Sequence, residues 1–228
     1  MNDDSPLFVE QIEIGPMQNF TYVIGSRTSR EVVLVDPAWD IDTLLAHVEE
    51  LDLKLVAALV THYHPDHVGG EMMGRGIEGL AELIGKRDIK VYVHKEEAEG
   101  LKKVTGISDS DMARVDSGDR MQLGEIEVEF LHTPGHTPGS QCFRIHDRLV
   151  SGDTLFIQGC GRVDLPGSDP DQMYESLRRL ASLPDDTVLL PGHNYSSVAT
   201  ATMGEMKSTN VSLRVPDLES WRRFMGSG

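Results

Sequence analysis

The chain has 228 residues, 39 % of them hydrophobic, and sets 21 Lys and Arg against 37 Asp and Glu for a formal net charge of −16. That length and apolar content suit one ordinary domain with a sizeable core, and the charge excludes partners gripped through phosphate backbones or anionic lipid, so neither nucleic acid nor a membrane surface is expected. Two cysteines, Cys142 and Cys160, exclude a disulfide scaffold and point to a reducing compartment.

The acidic start, Met1 to Ser5, runs straight into Leu7-Phe8-Val9 without the basic and apolar regions of a signal or transit peptide. The longest uninterrupted apolar run, Leu55 to Val60, is far below the ~20 residues a membrane span needs. A soluble, cytoplasmic protein is expected.

Short β-branched runs come first and read as a meander: Phe8 to Ile14, Phe20 to Ile24, and Glu31 to Val35 closed by Asp36-Pro37. Ile41 to Leu51 reads as a helix with Leu44, Leu45, Val48 and Leu51 on one face and Asp40 as N-cap. Leu55 to Val60 fits a strand buried on both faces. Val68 to Asp88, rich in Gly and Met, reads as a loop plus a short helix that could act as a mobile cover. Val91-Tyr92-Val93 is a strand, Glu96 to Val104 a helix, and Met121 to Phe130 a hairpin around Gly124. Cys142 to Ile145 and Arg148 to Val150 are strands joined at His146-Asp147. Asp169-Pro170 opens a helix through Leu180, and Thr187 to Leu190 is a last strand ending at Pro191-Gly192-His193. Strands gather early and again after residue 120, so a doubly wound parallel sheet is disfavoured, and two facing sheets with helices outside fit better. With no linker or repeat, residues 1–228 are expected to form one domain with a short extension after about residue 195.

Histidine placement carries the chemistry. His62-x-His64-x-Asp66-His67 puts three imidazoles and a carboxylate just after the buried strand. If strand geometry persists to His64, His62 and His64 face one side, and Pro65 turns the chain so that Asp66 and His67 reach a second ion. Mixed nitrogen and oxygen donors suit zinc first, then iron or manganese. The competing reading is a polar turn whose histidines cap the next helix. His136 lies between two Pro-Gly turns in Thr133-Pro134-Gly135-His136-Thr137-Pro138-Gly139, preceded by His132, which reads as structural. Asp153 follows a strand beside Gly152 and could bridge two cations. His193 again ends an apolar strand. Each interval between these clusters reads as one strand-helix-strand excursion returning to the same edge.

Thr61-His62-x-His64-x-Asp66-His67, Thr133-Pro134-Gly135-His136-Thr137, Gly152-Asp153-Thr154-Leu155-Phe156 and Pro191-Gly192-His193 resemble the ordered motifs of the metallo-β-lactamase superfamily, from about Phe20 to Tyr195. The resemblance implies an α+β fold, a four-layer αββα sandwich, with a first metal site of His62, His64 and His136, a second of Asp66, His67 and His193, and Asp153 bridging two zinc ions. Gly159-Cys160-Gly161-Arg162 and the stretches Asp171 to Leu177 and Leu183 to Thr187 resemble the glyoxalase II group of hydroxyacylglutathione hydrolases, which implies substrate contacts at Arg162 and Tyr195. Arg162 could equally balance Asp164 at the surface.

That likeness implies a dinuclear hydrolase of a thioester or related acyl ester, with Asp66 as ligand and proton relay and a small-molecule substrate such as a glutathione conjugate. The glyoxalase II C-terminal region is longer than the 35 residues that follow His193. Thr209-Asn210-x-x-Leu213 and Trp221 to Met225 also resemble persulfide dioxygenases, which implies the alternative of one iron held by His62, His136 and Asp153 and oxidation of glutathione persulfide. A flavodiiron-type oxidoreductase and a true lactamase are disfavoured, and a metal-binding module without turnover is a third reading. Leu218 to Met225 is amphipathic and could cover the core or a second copy in a homo-oligomer.

Overall fold

The structure, a computed structural model, describes residues 5–226. The first half runs β1 (Leu7–Ile14), β2 (Asn19–Ser26), β3 (Glu31–Val35), α1 (Ile41–Glu50), β4 (Lys54–Leu59), α2 (Pro65–Val68), β5 (Gly70–Met72), β6 (Arg75–Ile77), α3 (Leu80–Lys86), β7 (Lys90–His94), α4 (Ala98–Thr105) and β8 (Met112–Val115). The second runs β9 (Arg120–Leu123), β10 (Ile126–His132), β11 (Gln141–Ile145), β12 (Arg148–Gly152), α5 (Pro170–Ala181), β13 (Val188–Pro191), β14 (Ala201–Thr202), α6 (Met203–Thr209) and α7 (Leu218–Phe224).

Two six-stranded sheets result, ordered β1-β2-β3-β4-β7-β8 and β14-β13-β12-β11-β10-β9. They face each other because the strands alternate. Val33 and Val35, Ala57 and Leu59, and Val128 and Phe130 point into the cluster between the sheets, while Val32, Leu34, Ala58 and Val60 point outward. The outward set of the first sheet packs under α1, α3 and α4. A third cluster lies beneath α5, α6 and α7, built on Leu149, Leu177, Leu189, Met206 and Trp221. These are the four layers of an αββα sandwich. Two helices start where their caps dictate: Asp40 accepts from the Thr43 N–H at 3.0 Å, and Asp169 from those of Asp171 and Gln172 at 2.8 and 3.0 Å.

Several elements depart from expectation. The Gly/Met stretch contains the hairpin β5–β6, whose turn residues Met73 (φ 53°) and Gly74 (φ 75°) both take positive φ, as two-residue hairpin turns require. Met-Gly in place of Asn-Gly hid that signal. β8, β14 and α6 have no counterpart among the elements the sequence predicts, so β13 is not the last strand; β8 and β14 are short edge strands with little alternation to read. Nor is each interval a single excursion. Residues 67 to 136 span a hairpin, two helices and four further strands, and 136 to 153 only the β11–β12 hairpin. Trp221 is fully buried, so the Leu218–Phe224 helix covers the core.

The two sheets are stitched at one end. The Phe20 N–H donates to the Gly192 carbonyl at 2.8 Å and Gln141 N–H to Thr61 O at 2.9 Å, while Gly192 N–H to Gly152 O at 2.9 Å ties the end of β13 to β12 within the second sheet. Strand ends of both sheets therefore converge where the histidines lie.

Candidate metal centre

β4 ends at Leu59, so residues 60–64 are not a continuation of the strand and the period-two argument does not operate there. Pro65 instead holds His64 extended (φ −64°, ψ 140°) and sits at the first turn of α2, which carries Asp66 and His67. His62 and His64 converge regardless, with ring centroids 4.7 Å apart; His136 lies 4.8 Å from the first and 4.6 Å from the second. One ring nitrogen from each can meet at a common point, since all lie within 4.8 Å of one another.

The His136 loop is fixed from both sides. A Cβ at Gly135 (φ +137°) would meet the Met173 backbone at 2.4 Å, so only glycine lets this loop sit on α5. His132 has the structural role expected, its Nε2 lying 2.9 Å from the Pro138 carbonyl. Fully buried Glu97, which the sequence did not flag, ties the two ligand loops together. It accepts from the Tyr63 N–H at 2.8 Å, the Thr137 hydroxyl at 2.7 Å and the Gly139 N–H at 2.8 Å. Burial pushes its carboxyl up to about 7 against these three donors.

A second group gathers beside the first. Nε2 of His67 and His193 are 3.1 Å apart, and Asp66 Oδ2, which accepts from Asn19 Nδ2 at 2.9 Å, lies 3.4 and 3.5 Å from them. Second partners orient each ring. His67 Nδ1 donates to Asp36 Oδ2 at 3.0 Å, His193 Nδ1 to the Met17 carbonyl at 3.0 Å, and His136 Nδ1 to the Arg162 carbonyl at 2.8 Å, which turns the Nε2 of these three inward, whereas His64 presents Nδ1, 3.0 Å from His136 Nε2. Asp36 was read only as the end of a strand. It also accepts from the Thr61 N–H at 2.7 Å and hydroxyl at 2.5 Å; the Asp36-Pro37 dipeptide is the one local sequence signal, and the structure gives Asp36 a positive φ (50°) at that corner.

Asp153 lies between the groups. Oδ1 is 3.4 Å from Nε2 of both His67 and His193, and Oδ2 is 3.6 Å from Nε2 of His136. Glycine makes the room: a Cβ at Gly192 would come within 2.4 Å of Asp153 Oδ1.

The residues fit a cation. His62 Nε2 and Asp153 Oδ1 are buried without a hydrogen-bond partner, a costly arrangement that an ion would relieve. Burial, followed by the neighbouring imidazoles, holds His62 well below the usual imidazole range and His64 at about 4, so both are neutral donors. Burial would also lower His67, but Asp66, Asp153 and Asp36 outweigh it and push the ring up to about 10. Burial raises the Asp153 carboxyl, and His67, His193 and His136 outweigh it, holding it well below the usual range. Three carboxylates thus demand positive charge at one buried point.

A cavity of about 400 Å³ opens over the cluster. Tyr195 lines it, its ring stacked on His193 at 4.5 Å and 9° and edge-on to Phe156 at 5.5 Å. Phe156 is therefore a wall of the cleft as well as buried, whereas Tyr63 packs against the first outer core. Arg162 also lines the cavity, but its guanidinium bonds both oxygens of Asp164 at 2.8 Å. Both cysteines are free. Among the described residues no helix is long and apolar enough to cross a membrane.

Residues 14–193 match the family model described as the metallo-beta-lactamase superfamily. Among curated relatives, human persulfide dioxygenase ETHE1, mitochondrial, is 30 % identical over 98 % of this chain and 82 % of its own. Hydroxyacylglutathione hydrolase of Aeromonas hydrophila is 36 % identical over 79 % of this chain and 64 % of its own. The probable polyketide biosynthesis zinc-dependent hydrolase BaeB of Bacillus velezensis is 29 % identical over 90 % and 86 %. The crystal structure of ETHE1 from Myxococcus xanthus superposes with a TM-score of 0.80 at 30 % identity, covering 96 % of this chain and 90 % of that one.

Proposed function

Because the chain belongs to the metallo-beta-lactamase superfamily, whose members are mostly metal-dependent enzymes, we propose that it is a dinuclear metallohydrolase of small-molecule thioesters or related acyl esters. His62, His64 and His136 would hold one zinc, Asp66, His67 and His193 a second, and Asp153 would bridge them. The observation that carries this reading is the two-faced Asp153 carboxylate, one oxygen toward His136 and the other toward His67 and His193. Iron or manganese are the other metals this donor set accepts.

Bound there, two such ions supply a water acidic enough to attack at neutral pH and polarise the acyl carbonyl. The chain does the rest. Asp36, Met17 and Arg162 hold the imidazoles in register through His67, His193 and His136. Asp66, steadied by Asn19, takes up the proton that water gives up on forming the new C–O bond. The C–S bond then breaks and the thiolate departs, a leaving group needing little protonation, which suits a cleft with no further general acid assigned. Tyr195 and Arg162 form the substrate side of the cavity. One sandwich domain, with the segment after about residue 195 packed on α5, accounts for the whole reaction, and the free cysteines suit the cytoplasm.

Metal quantification paired with anaerobic thioester hydrolysis tests this. Two ions per chain and oxygen-independent turnover are expected, and Asp153→Ala should lose both. Full metal content and full rate in that variant would refute the dinuclear centre.

The likeness to persulfide dioxygenases along 98 % of the chain favours one other reading: a single iron at His62, His136 and Asp153 that oxidises a persulfide. The tail shared in that resemblance is anchored to the cleft, for Asn210 Nδ2 donates to the carbonyls of Phe156, Ile157 and Gly159 at 2.8, 3.3 and 3.0 Å. Oxygen uptake with glutathione persulfide and negligible thioesterase activity would select it.

A further inference from the structure

The chemistry of the cleft wall bears on what the non-reacting part of the substrate can be. The mouth of the cavity lies between two turns that each present thioethers. Met17 sits in the β1–β2 turn, which is held in place because Asn194 N–H donates to Gln18 O at 2.8 Å and His193 Nδ1 to Met17 O. On the other side Met72 ends β5 and Met73 occupies the hairpin tip, both lining the same cavity. Met73 is 97 % exposed and has a left-handed backbone, φ 53°. The positive φ belongs to the hairpin turn, and the Met73 side chain, left unburied by the fold, offers an apolar arm at the cavity mouth. Methionine suits that task, being flexible and polarisable enough to mould to varied apolar groups. Phe156 and Tyr195 continue the apolar wall inward.

The charges facing the cleft point the same way. Among the described residues that line it, the one Lys or Arg is Arg162, already matched by both oxygens of Asp164, and the chain as a whole carries −16. A carrier with free carboxylates would find no unmatched Lys or Arg among these lining side chains, and would lose hydration against thioether and aromatic surface.

We propose that the cleft selects substrates whose non-reacting portion is uncharged and apolar, cradled by Met17, Met72 and Met73, over carriers of the glutathione kind that bear free carboxylates. This rests on the thioester reading of the site and names its substrate class.

Two thioethers that cannot be hydrolysed separate the possibilities: S-hexyl-N-acetylcysteamine, which is neutral, and S-hexylglutathione, which carries the same alkyl group on an anionic peptide. Calorimetric titration into zinc-loaded protein should show the neutral probe binding about tenfold tighter or more, and the exposed-tip variant Met72→Ser/Met73→Ser should weaken it about tenfold, as the loss of one or two buried methylene equivalents implies. Equal or tighter binding of S-hexylglutathione, no binding of the neutral probe, or a variant that binds it as the wild type does would each overturn the proposal. Neither probe turns over, so this outcome does not depend on hydrolysis; the predicted binding pattern without any thioesterase activity would overturn the hydrolase reading alone.

Discussion

Asp36→Asn removes one charge and almost no volume, yet Asn cannot meet the demands on this position. Asp36 accepts from the Thr61 N–H, the Thr61 hydroxyl and His67 Nδ1. If the amide oxygen replaces Oδ1, the NH2 group faces the His67 Nδ1–H, and the ring must shift its proton to Nε2, the atom turned toward the centre. If the amide flips, its NH2 meets the buried Thr61 N–H instead. The second arrangement leaves a buried donor unpaired at about 1–3 kcal/mol. The first costs about 10- to 100-fold in metal affinity, the usual price of losing an orienting partner, or about 1.4–2.8 kcal/mol. Chelator-competition titration of zinc, read beside urea unfolding of the same preparation, measures both. A loss in at least one is expected. Unchanged zinc affinity together with unchanged stability would refute the argument that Asp36 aims His67.

At Gly192, alanine would place a Cβ 2.4 Å from Asp153 Oδ1, about 1 Å inside ordinary contact, so Gly192→Ala should keep the fold but lower kcat/KM about 10²-fold; wild-type activity would mean that the Asp153 position is not critical. Glu97 gives a pH signature. Its carboxyl, raised from 4.5 to about 7, keeps a proton in the folded state that the unfolded chain releases between those values, so its contribution to stability falls as pH rises through that window. The change, 2.5 units at about 1.4 kcal/mol each, is about 3 kcal/mol, and Glu97→Gln should flatten the unfolding free energy by that difference between pH 4.5 and 7 relative to wild type. Trp221→Ala, which empties a fully buried site and deletes the indole donor to the Pro170 carbonyl at 2.6 Å, should cost about 3–5 kcal/mol and lower Tm by roughly 10 °C, with zinc stoichiometry unchanged in the folded protein. An unaltered melting curve would detach the C-terminal helix from the core.

Sequence alone determined the layers and the candidate ligands. Period-two alternation in segments such as Ile126 to Phe130 dictates which face meets the other sheet, and His-x-His-x-Asp-His beside Gly and Pro turns is dense enough in donor groups to be read without coordinates. Tertiary structure decided what local pattern does not encode. Glu97 and Asp36 look like ordinary acids in sequence. Their roles come from hydrogen bonds across 40 and 31 residues, to Thr137 and to His67; the first exists only once the two sheets close, the second only once β3 and β4 pair within the first sheet. The match of Arg162 to Asp164, and the meeting of Met17 with Met72 and Met73 at one mouth, were also decided there, because long-range packing sets which side chains share a cavity whereas periodicity sets only which face each one takes.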